Sequence, residues 1–413
     1  MRALPLLLAT LALDAMGIGL VYPVMPELIA QVRGADVAGA ALWGGGLATA
    51  YAVMQFLCAP VLGALSDRFG RRPVLLVSLA VMALDYAVSA VAQSIWLLLL
   101  LRLVAGVTAA THATCNAVAA DLVPPGRRSQ TFGLLGAAFM LGFVAGPVIG
   151  GALGEIGPRA PFVAAALLAA LNLALGWLTM PETVAPGRRR PLDRRRANPF
   201  GAFAQVARLG GAARLLVILF LHDVAIIAYV AVWAYWGTAA FGWSPLLTGV
   251  SLAAFGLVAA FTQGFLLPHY LRLMGEEGTL VLGFLLTAGF LVAFALLPPT
   301  PLGGLLAILL CPLSALGEVT LPALQGRISR LAPADAQGEA MGVAAAARSL
   351  SAVVGPFAMT GAFAWGAGLA PPFYGTAYLL GGALMLLCCA LFLARPWPPP
   401  TRRDASLSRA PRA

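Results

Sequence analysis

Four acids interrupt long apolar stretches of this chain: Asp14, Asp85, Asp223 and Glu318. Arg102 and Arg348 do the same, and Gln55, His112 and His222 add polar groups in similar surroundings. A charge at the centre of a bilayer costs about 2.5–3.5 kcal/mol on insertion scales, so such residues as a rule mark a path for protons, ions or polar cargo. Asp14 lies about ten residues into its stretch, roughly 15 Å at the helical rise and so near a membrane midplane. Asp85 is similarly deep. Arg102 lies toward the outer side and can pair with Asp85, either as working machinery or as a purely structural ion pair. Arg348 is about eleven residues into its stretch and needs a counter-charge, from Glu318 or Asp223. A carboxyl in low dielectric is a candidate proton carrier. Asp14 or Asp223 is expected in that role, with Glu318 as a third candidate and His222 as a relay or a packing residue. His112, beside Thr111 and Thr114, either faces a cavity or is a hydrogen-bonded bundle residue.

A second constellation is Gly63-Ala64-Leu65-Ser66-Asp67-Arg68-Phe69-Gly70-Arg71-Arg72, between the second and third apolar stretches. Gly63 permits close helix approach, and Asp67 suits a helix N-terminus, where the dipole favours an anion. Arg68, Arg71 and Arg72 can hold carboxylates on neighbouring helix ends, Asp121 among them. The expectation is a conformational latch that releases as helices move; a plain basic loop is the alternative. In the fifth stretch, Gly142, Gly146, Pro147, Gly150 and Gly151 combine small residues, which let helices pack tightly in lipid, with a proline that can bend the helix.

These groups need membrane helices to hold them. Of 413 residues, 61% are hydrophobic and 10% charged; soluble domains run roughly half apolar and a quarter charged. A soluble enzyme, a disordered chain and a disulfide scaffold are excluded. Helices of roughly 20 apolar residues cross a bilayer, and the pattern predicts twelve, at 4–28, 40–65, 73–92, 96–120, 131–154, 160–180, 213–238, 246–267, 278–297, 302–324, 337–365 and 373–394. The first lacks a clear cleavage site and reads as a retained helix. The polar interruption at 181–212 divides the chain into a first six-helix bundle (1–180), a central Arg-rich loop and a second bundle (213–394), followed by an unstructured tail at 395–413. The fold class is an all-α membrane protein of two repeated six-helix bundles. The five cysteines, Cys58, Cys115, Cys311, Cys388 and Cys389, are odd in number, lack metal-ligand spacing and read as small buried residues.

All 26 cationic residues are arginine and the net charge is +10. With the N-terminus inside, 22 of them face the cytoplasm, including Arg188, Arg189, Arg190, Arg194, Arg195 and Arg196, and only Arg33 and Arg159 fall in outer loops. That asymmetry puts both termini and the central loop in the cytoplasm. It explains the basic character without nucleic acid, with anionic lipid as a minor partner of the Arg run. The halves also echo each other. Gly133 and Gly342 each precede a Gly-Pro pair, Gly146-Pro147 and Gly355-Pro356, by thirteen residues; the offset, 342 − 133 = 209, also carries Asp14 onto Asp223. Repeats around a midplane site are a transporter architecture.

The charged decapeptide resembles the signature of the major facilitator superfamily, and the GxxxGPxxGG run from Gly142 to Gly151 is similar to that of its proton-coupled exporters. Leu13-Asp14-Ala15-Met16-Gly17-Ile18-Gly19-Leu20 with Pro23 and Pro26 looks like the first helix of the tetracycline/proton antiporters. So do Tyr51-Ala52-Val53-Met54-Gln55-Phe56-Leu57-Cys58-Ala59-Pro60, Asp85-Tyr86-Ala87, Arg102-Leu103-Val104-Ala105-Gly106, Ala120-Asp121 and Leu321-Pro322-Ala323-Leu324-Gln325. The resemblance spans nearly the whole chain, densest in the first half. It implies export of tetracycline as a divalent-metal chelate, such as that of Mg, against protons as the coupling ion, and functional roles for Asp14, Gln55, Asp85 and Arg102. The second half departs from it: where many family members carry a His in helix eight and an Asp in helix nine, this chain has Ala259 and Thr287, neither of which titrates.

The function expected is therefore a proton-coupled efflux antiporter for a tetracycline-like drug, working by alternating access as a monomer, with no permanently bound cofactor or metal. The same fold with another drug, a sugar or a metabolite as cargo is the alternative, and a receptor or channel would not need the repeat. No nucleophile–His–acid array and no ATP-binding loop point to an enzyme or a pump. Trp233, Tyr235 and Trp236 are candidates for stacking on a planar drug or for an interfacial aromatic belt. Arg usage with abundant Ala and Gly suits a GC-rich bacterial genome and an inner-membrane location.

Overall fold

A computed structural model describes residues 3–184, 187, 198, 200–201, 212–331 and 337–394. The six central arginines, Arg208 and the 395–413 tail lie outside the described residues. The described chain is helical: α1 (Ala3–Val21), a 3-10 turn (Tyr22–Val24) and α2 (Met25–Arg33); α3 (Val37–Phe69); α4 (Arg71–Val91); α5 (Ile95–Val107) and α6 (Thr111–Leu122); α7 (Arg128–Gly154); α8 (Ala160–Thr179). The second half has α9 (Ala212–Ala231) and α10 (Trp233–Phe241); α11 (Pro245–Phe261); α12 (Leu267–Leu296); α13 (Pro301–Ser314), a 3-10 turn (Ala315–Gly317) and α14 (Thr320–Leu331); α15 (Gln337–Ala367); α16 (Thr376–Leu393).

Eleven continuous stretches among the described residues are long and apolar enough to cross a membrane. One of them, Pro245–Leu296, has 52 residues, about 78 Å of helix against a hydrocarbon core of about 30 Å. It breaks at Gly275, whose φ of 68° and ψ of −174° are not helical, and so makes two crossings. Twelve spans result. The local signals are ordinary ones: Asp36 accepts a hydrogen bond from the Gly39 N–H at the start of α3, and Ser244 and Thr300 cap α11 and α13 in the same way.

The repeat read from the sequence recurs in the elements. α7 and α15 begin 337 − 128 = 209 residues apart, and α6 and α14 begin 320 − 111 = 209 apart. Spans one, four, seven and ten are each built from two helices in succession, and span eight carries a π-helical turn at Thr262–Leu266. A break frees backbone polar groups, which hydrocarbon tolerates only where they are buried in protein or line a wet cavity. Leu7 and Leu11 of α1 pack with Leu75 and Leu79 of α4, so residue 3, the Gly70 turn and the start of α7 share one end of the bundle. This end is called the near face and the other the far face.

Trp233, Tyr235 and Trp236 do not form a belt or line a drug pocket. They are buried, and Trp233 and Trp236 lie in one aromatic core with Trp243, Phe294 and Tyr378. The Trp233 indole N–H donates to Ser251 Oγ at 2.8 Å. Two tryptophans and a tyrosine within about one turn of helix cover too much apolar area to be left at an interface when neighbouring helices can bury them.

Candidate functional site

In the first half, Asp14 sits on α1, only 6% exposed. Its carboxyl interacts with the Thr111 hydroxyl at the start of α6, and Tyr51 of α3, Tyr86 of α4 and Cys115 of α6 lie within its electrostatic reach. Among the described residues it has no ion-pair partner. Asp85 of α4 does: Arg102 of α5 binds its Oδ2. The other oxygen, Oδ1, is buried without a hydrogen bond. Tyr51 and Tyr22 surround Arg102 in turn. Gln55, one turn below Tyr51 on α3, is partly exposed. His112 is exposed on α6, with Nδ1 3.2 Å from Asn116 Nδ2 and its ring edge-on to Phe139 of α7. The tyrosines were not singled out from sequence; aromatic residues one helix away from a deep acid were the available signal.

In the second half, Arg348 on α15 binds Asp223 on α9, Nε to Oδ2, at 2.9 Å. The other Asp223 oxygen lies 3.0 Å from His222 Nδ1. Of the two counter-charges considered for Arg348, the structure supplies Asp223. Glu318 follows the 3-10 turn in the break of span ten, partly exposed, within electrostatic reach of His222 and Asp223. Of the deep acids, each half thus holds one paired with arginine, Asp85 and Asp223, and one without an ion pair among the described residues, Asp14 and Glu318. Ala259 and Thr287 are buried in this half.

The glycine pattern of α7 has two separate uses. A Cβ on Gly142, Gly146 or Gly150 would run into the α1 backbone at Ala12, Met16 or Leu20. These three positions, spaced by four, form one face and fix α1 inside the first bundle. The adjacent face, with Gly151 and the Pro147 carbonyl, meets Pro245, Leu246 and Gly249 of α11, across the boundary between halves. The halves also meet where the Thr49 hydroxyl donates to the Val353 carbonyl at 3.0 Å, where Gly45 abuts Pro356 and Thr360, and where Glu155 accepts the Leu246 N–H at 3.1 Å. All these contacts lie in the far halves of α3, α7, α11 and α15. In the near halves of α3, α7 and α15, Gly63, Gly133, Gly136 and Gly342 have no described atom within 4 Å of where a Cβ would stand. Gly63 therefore makes no close helix approach here, and the contacts named between the two bundles lie toward the far face.

The charged decapeptide is a network within the first half. Arg71 pairs with Asp67 at 2.7 Å and Asp121 at 3.4 Å, and donates to Ser66 Oγ at 3.2 Å. Thr183 donates to Asp121 as well. Arg72 donates to the Trp177 carbonyl at 2.6 Å. Arg68 lies over the Phe69 ring, 5.2 Å from its centroid, and on no carboxylate among the described residues. Asp67 is in the last turn of α3; the anion at the N-terminus of α4 is Glu182, which accepts the Arg71 and Arg72 N–H groups at 2.9 and 3.2 Å. Gly70, with φ 112°, lets the chain turn beneath that carboxylate, where a Cβ would clash. No bond of this network crosses to the second half among the described residues. Glu182→Ala is expected to cost about 1 kcal/mol, the usual loss of a helix cap, seen as an earlier thermal transition in detergent. The second half has a counterpart with charges exchanged: Arg327 and Arg330 of α14 bind Glu276 and Glu277 beside Gly275.

Two repeated bundles that meet toward one end of a line of midplane charges are the architecture of a membrane transporter and not of an enzyme. The Major Facilitator Superfamily profile matches residues 7–356, and the chain belongs to that superfamily. It is similar to the class C tetracycline resistance protein of Escherichia coli, 41% identical over 96% of this chain and 98% of the relative. It is also similar to the class G protein of Vibrio anguillarum, at 37% over 94% and 96%. Among solved structures, the human organic anion transporter MFSD10 (TETRAN) aligns with a TM-score of 0.66 at 26% identity, covering 95% of this chain and 99% of that one. The nucleoside transporter NupG aligns over the same shares with a TM-score of 0.78 at 13% identity, a likeness of fold.

Proposed function

We propose that this chain is a proton-coupled exporter of tetracycline-class drugs, seated in a bacterial inner membrane with both chain ends cytoplasmic. The observation that carries the cargo is the end-to-end likeness to tetracycline resistance proteins, which favours this reading over a change of cargo. The arginine asymmetry supports the orientation. On that orientation the near face is cytoplasmic, and the contacts between the halves at the far face support a state in which an exporter loads. One chain contains both bundles and works as a monomer.

The cargo enters as a divalent-metal chelate, the metal being part of the substrate. A cationic chelate and a proton compete for the same unpaired carboxylate. Cargo binding from the cytoplasm displaces the proton. The halves then rock, opening the far face and closing the near one. Outside, a proton returns to the carboxylate and the chelate leaves. Each net charge moved inward is driven by about 2.3 kcal/mol per 100 mV of membrane potential. Expression in a drug-sensitive bacterium is expected to raise the tetracycline concentration tolerated, with the gain abolished by a protonophore. Protection against other drug classes alone would overturn the cargo, and protection that survives the protonophore would overturn the coupling.

A further inference from the structure

We infer that the second half carries its coupling proton on Glu318, and that Asp223 is a fixed member of an ion pair. This deepens the antiport reading above and rests on it.

Both Asp223 oxygens are engaged, one by Arg348 Nε at 2.9 Å and one by His222 Nδ1 at 3.0 Å. A proton placed on Asp223 would leave the guanidinium without its counter-ion, and arginine cannot compensate by losing its own proton. Glu318 carries no such commitment. Among the described residues its carboxylate has no hydrogen bond or ion pair, and it is partly exposed. Its place follows from the break in span ten. Pro322 has no N–H to give the carbonyl four residues back, which is that of Glu318 itself. Gly317, where a Cβ would meet the Thr287 side chain, lets the turn lie against α12.

The groups around it leave one exchangeable charge. From α9 come His222, Asp223 and Tyr229; Ser314 and Cys311 of α13 stand beside Tyr229, and the neutral Thr287 of α12 lies against Gly317. Arg348 of α15 arrives through Asp223, and Cys388 of α16 lies near Asp223. α11 has no charged side chain. Asp223 and Arg348 cancel, so the net charge of the cluster follows the Glu318 proton, with the His222 ring as the neighbour common to both acids. The first half has the same plan. Its unpaired acid, Asp14, meets Thr111 at the start of α6, and Glu318 stands just before Thr320 at the start of α14; these starts are 320 − 111 = 209 residues apart. Both unpaired acids sit where a broken span resumes. In the step proposed, water on the far side gives H⁺ to the Glu318 carboxylate, and the carboxyl returns it to near-side water when the cationic cargo binds.

The test uses full-length protein in proteoliposomes with the tetracycline–Mg²⁺ chelate as probe. It compares accumulation driven by a pH gradient with exchange of labelled for unlabelled drug at no gradient. Each exchanged proton is worth about tenfold in limiting accumulation per pH unit, so Glu318→Gln is expected to lower driven accumulation at least about tenfold while exchange persists. Glu318→Asp is expected to keep the drive. The paired variant Asp223→Asn with Arg348→Gln is expected to keep the wild-type ratio of driven accumulation to exchange. Driven accumulation in Glu318→Gln at the wild-type ratio would overturn the inference, as would loss of drive with intact exchange in the paired variant. If Glu318→Gln loses exchange as well, Glu318→Asp decides: drive kept supports the assignment, drive lost overturns it. Wild-type accumulation indifferent to the gradient would instead sink the antiport reading itself.

Discussion

Asp14→Asn is expected to abolish drug accumulation in everted membrane vesicles, by about a hundredfold or more, the lower range for losing a proton-transfer group, while the protein remains as stable as the parent. The two halves of that expectation have one origin. Asp14 is 6% exposed, has no ion-pair partner among the described residues, and interacts with the Thr111 hydroxyl. An unpaired carboxylate in that position is costly to ionise, and asparagine removes the charge while keeping shape and hydrogen-bonding capacity. Folding therefore loses nothing. Transport loses the site at which chelate and proton compete. Asp85→Asn is the control that separates function from structure. It leaves Arg102 without its counter-ion, and breaking a buried pair costs about 3–5 kcal/mol. Thermal unfolding in detergent should thus fall sharply for Asp85→Asn and hardly at all for Asp14→Asn. An Asp14→Asn protein that accumulates drug at the parent rate would remove this residue from the coupling.

What could be read in advance was whatever a charge in hydrocarbon must explain. Asp14, Asp85, Asp223, Glu318, Arg102 and Arg348 announce themselves because each violates a long apolar stretch, and the 209-residue repeat because its Gly-Pro marks are sharp. Which acid pairs with Arg348 was not legible. That choice depends on where span ten breaks and how α9 faces α15, and periodicity does not record either. Glu155 and Glu182 were missed for another reason. A capping acid lies in a loop with no period, and its partner N–H groups belong to a helix far along the chain. Gly63 was misread because a glycine in a helix marks close approach only when another element lies against it, and none of the described atoms does here. The tryptophans of α10 were misplaced because a half-helix at the end of a span looks interfacial by position even when its neighbours bury it. Helices eight and nine were separable at Gly275 because the sequence there turns polar, although the helix boundary itself is a single glycine.

The glycines of α7 and α11 give the second large effect, and a contrast between two substitutions of identical size. Gly146→Ala places a Cβ against the backbone of Met16 and Gly19, inside the first bundle; Gly249→Ala places one against the Pro147 carbonyl, across the boundary between bundles. Overpacking of this kind costs about 1–3 kcal/mol. For Gly146 no rearrangement of the bundles relieves the clash, because α1 and α7 belong to the same rigid half. The cost falls on folding, and the variant should unfold earlier with its conformational balance unchanged. For Gly249 the clash exists only while the far face is sealed. Rocking the halves apart at that face removes it, so the same energy is expressed as a shift toward the far-open state, roughly tenfold to a hundredfold in the equilibrium. Glu155, which holds the α11 N-terminus from the opposite half, is released in the same movement. Cysteines introduced singly into the cysteine-free protein report the difference. At position 133 on the near side, labelling by a water-soluble maleimide is expected to slow in Gly249→Ala and to stay at the parent rate in Gly146→Ala. Equal labelling in both variants, with equal loss of stability, would mean that the far-face seal is ordinary packing and that the bundles do not move against each other there.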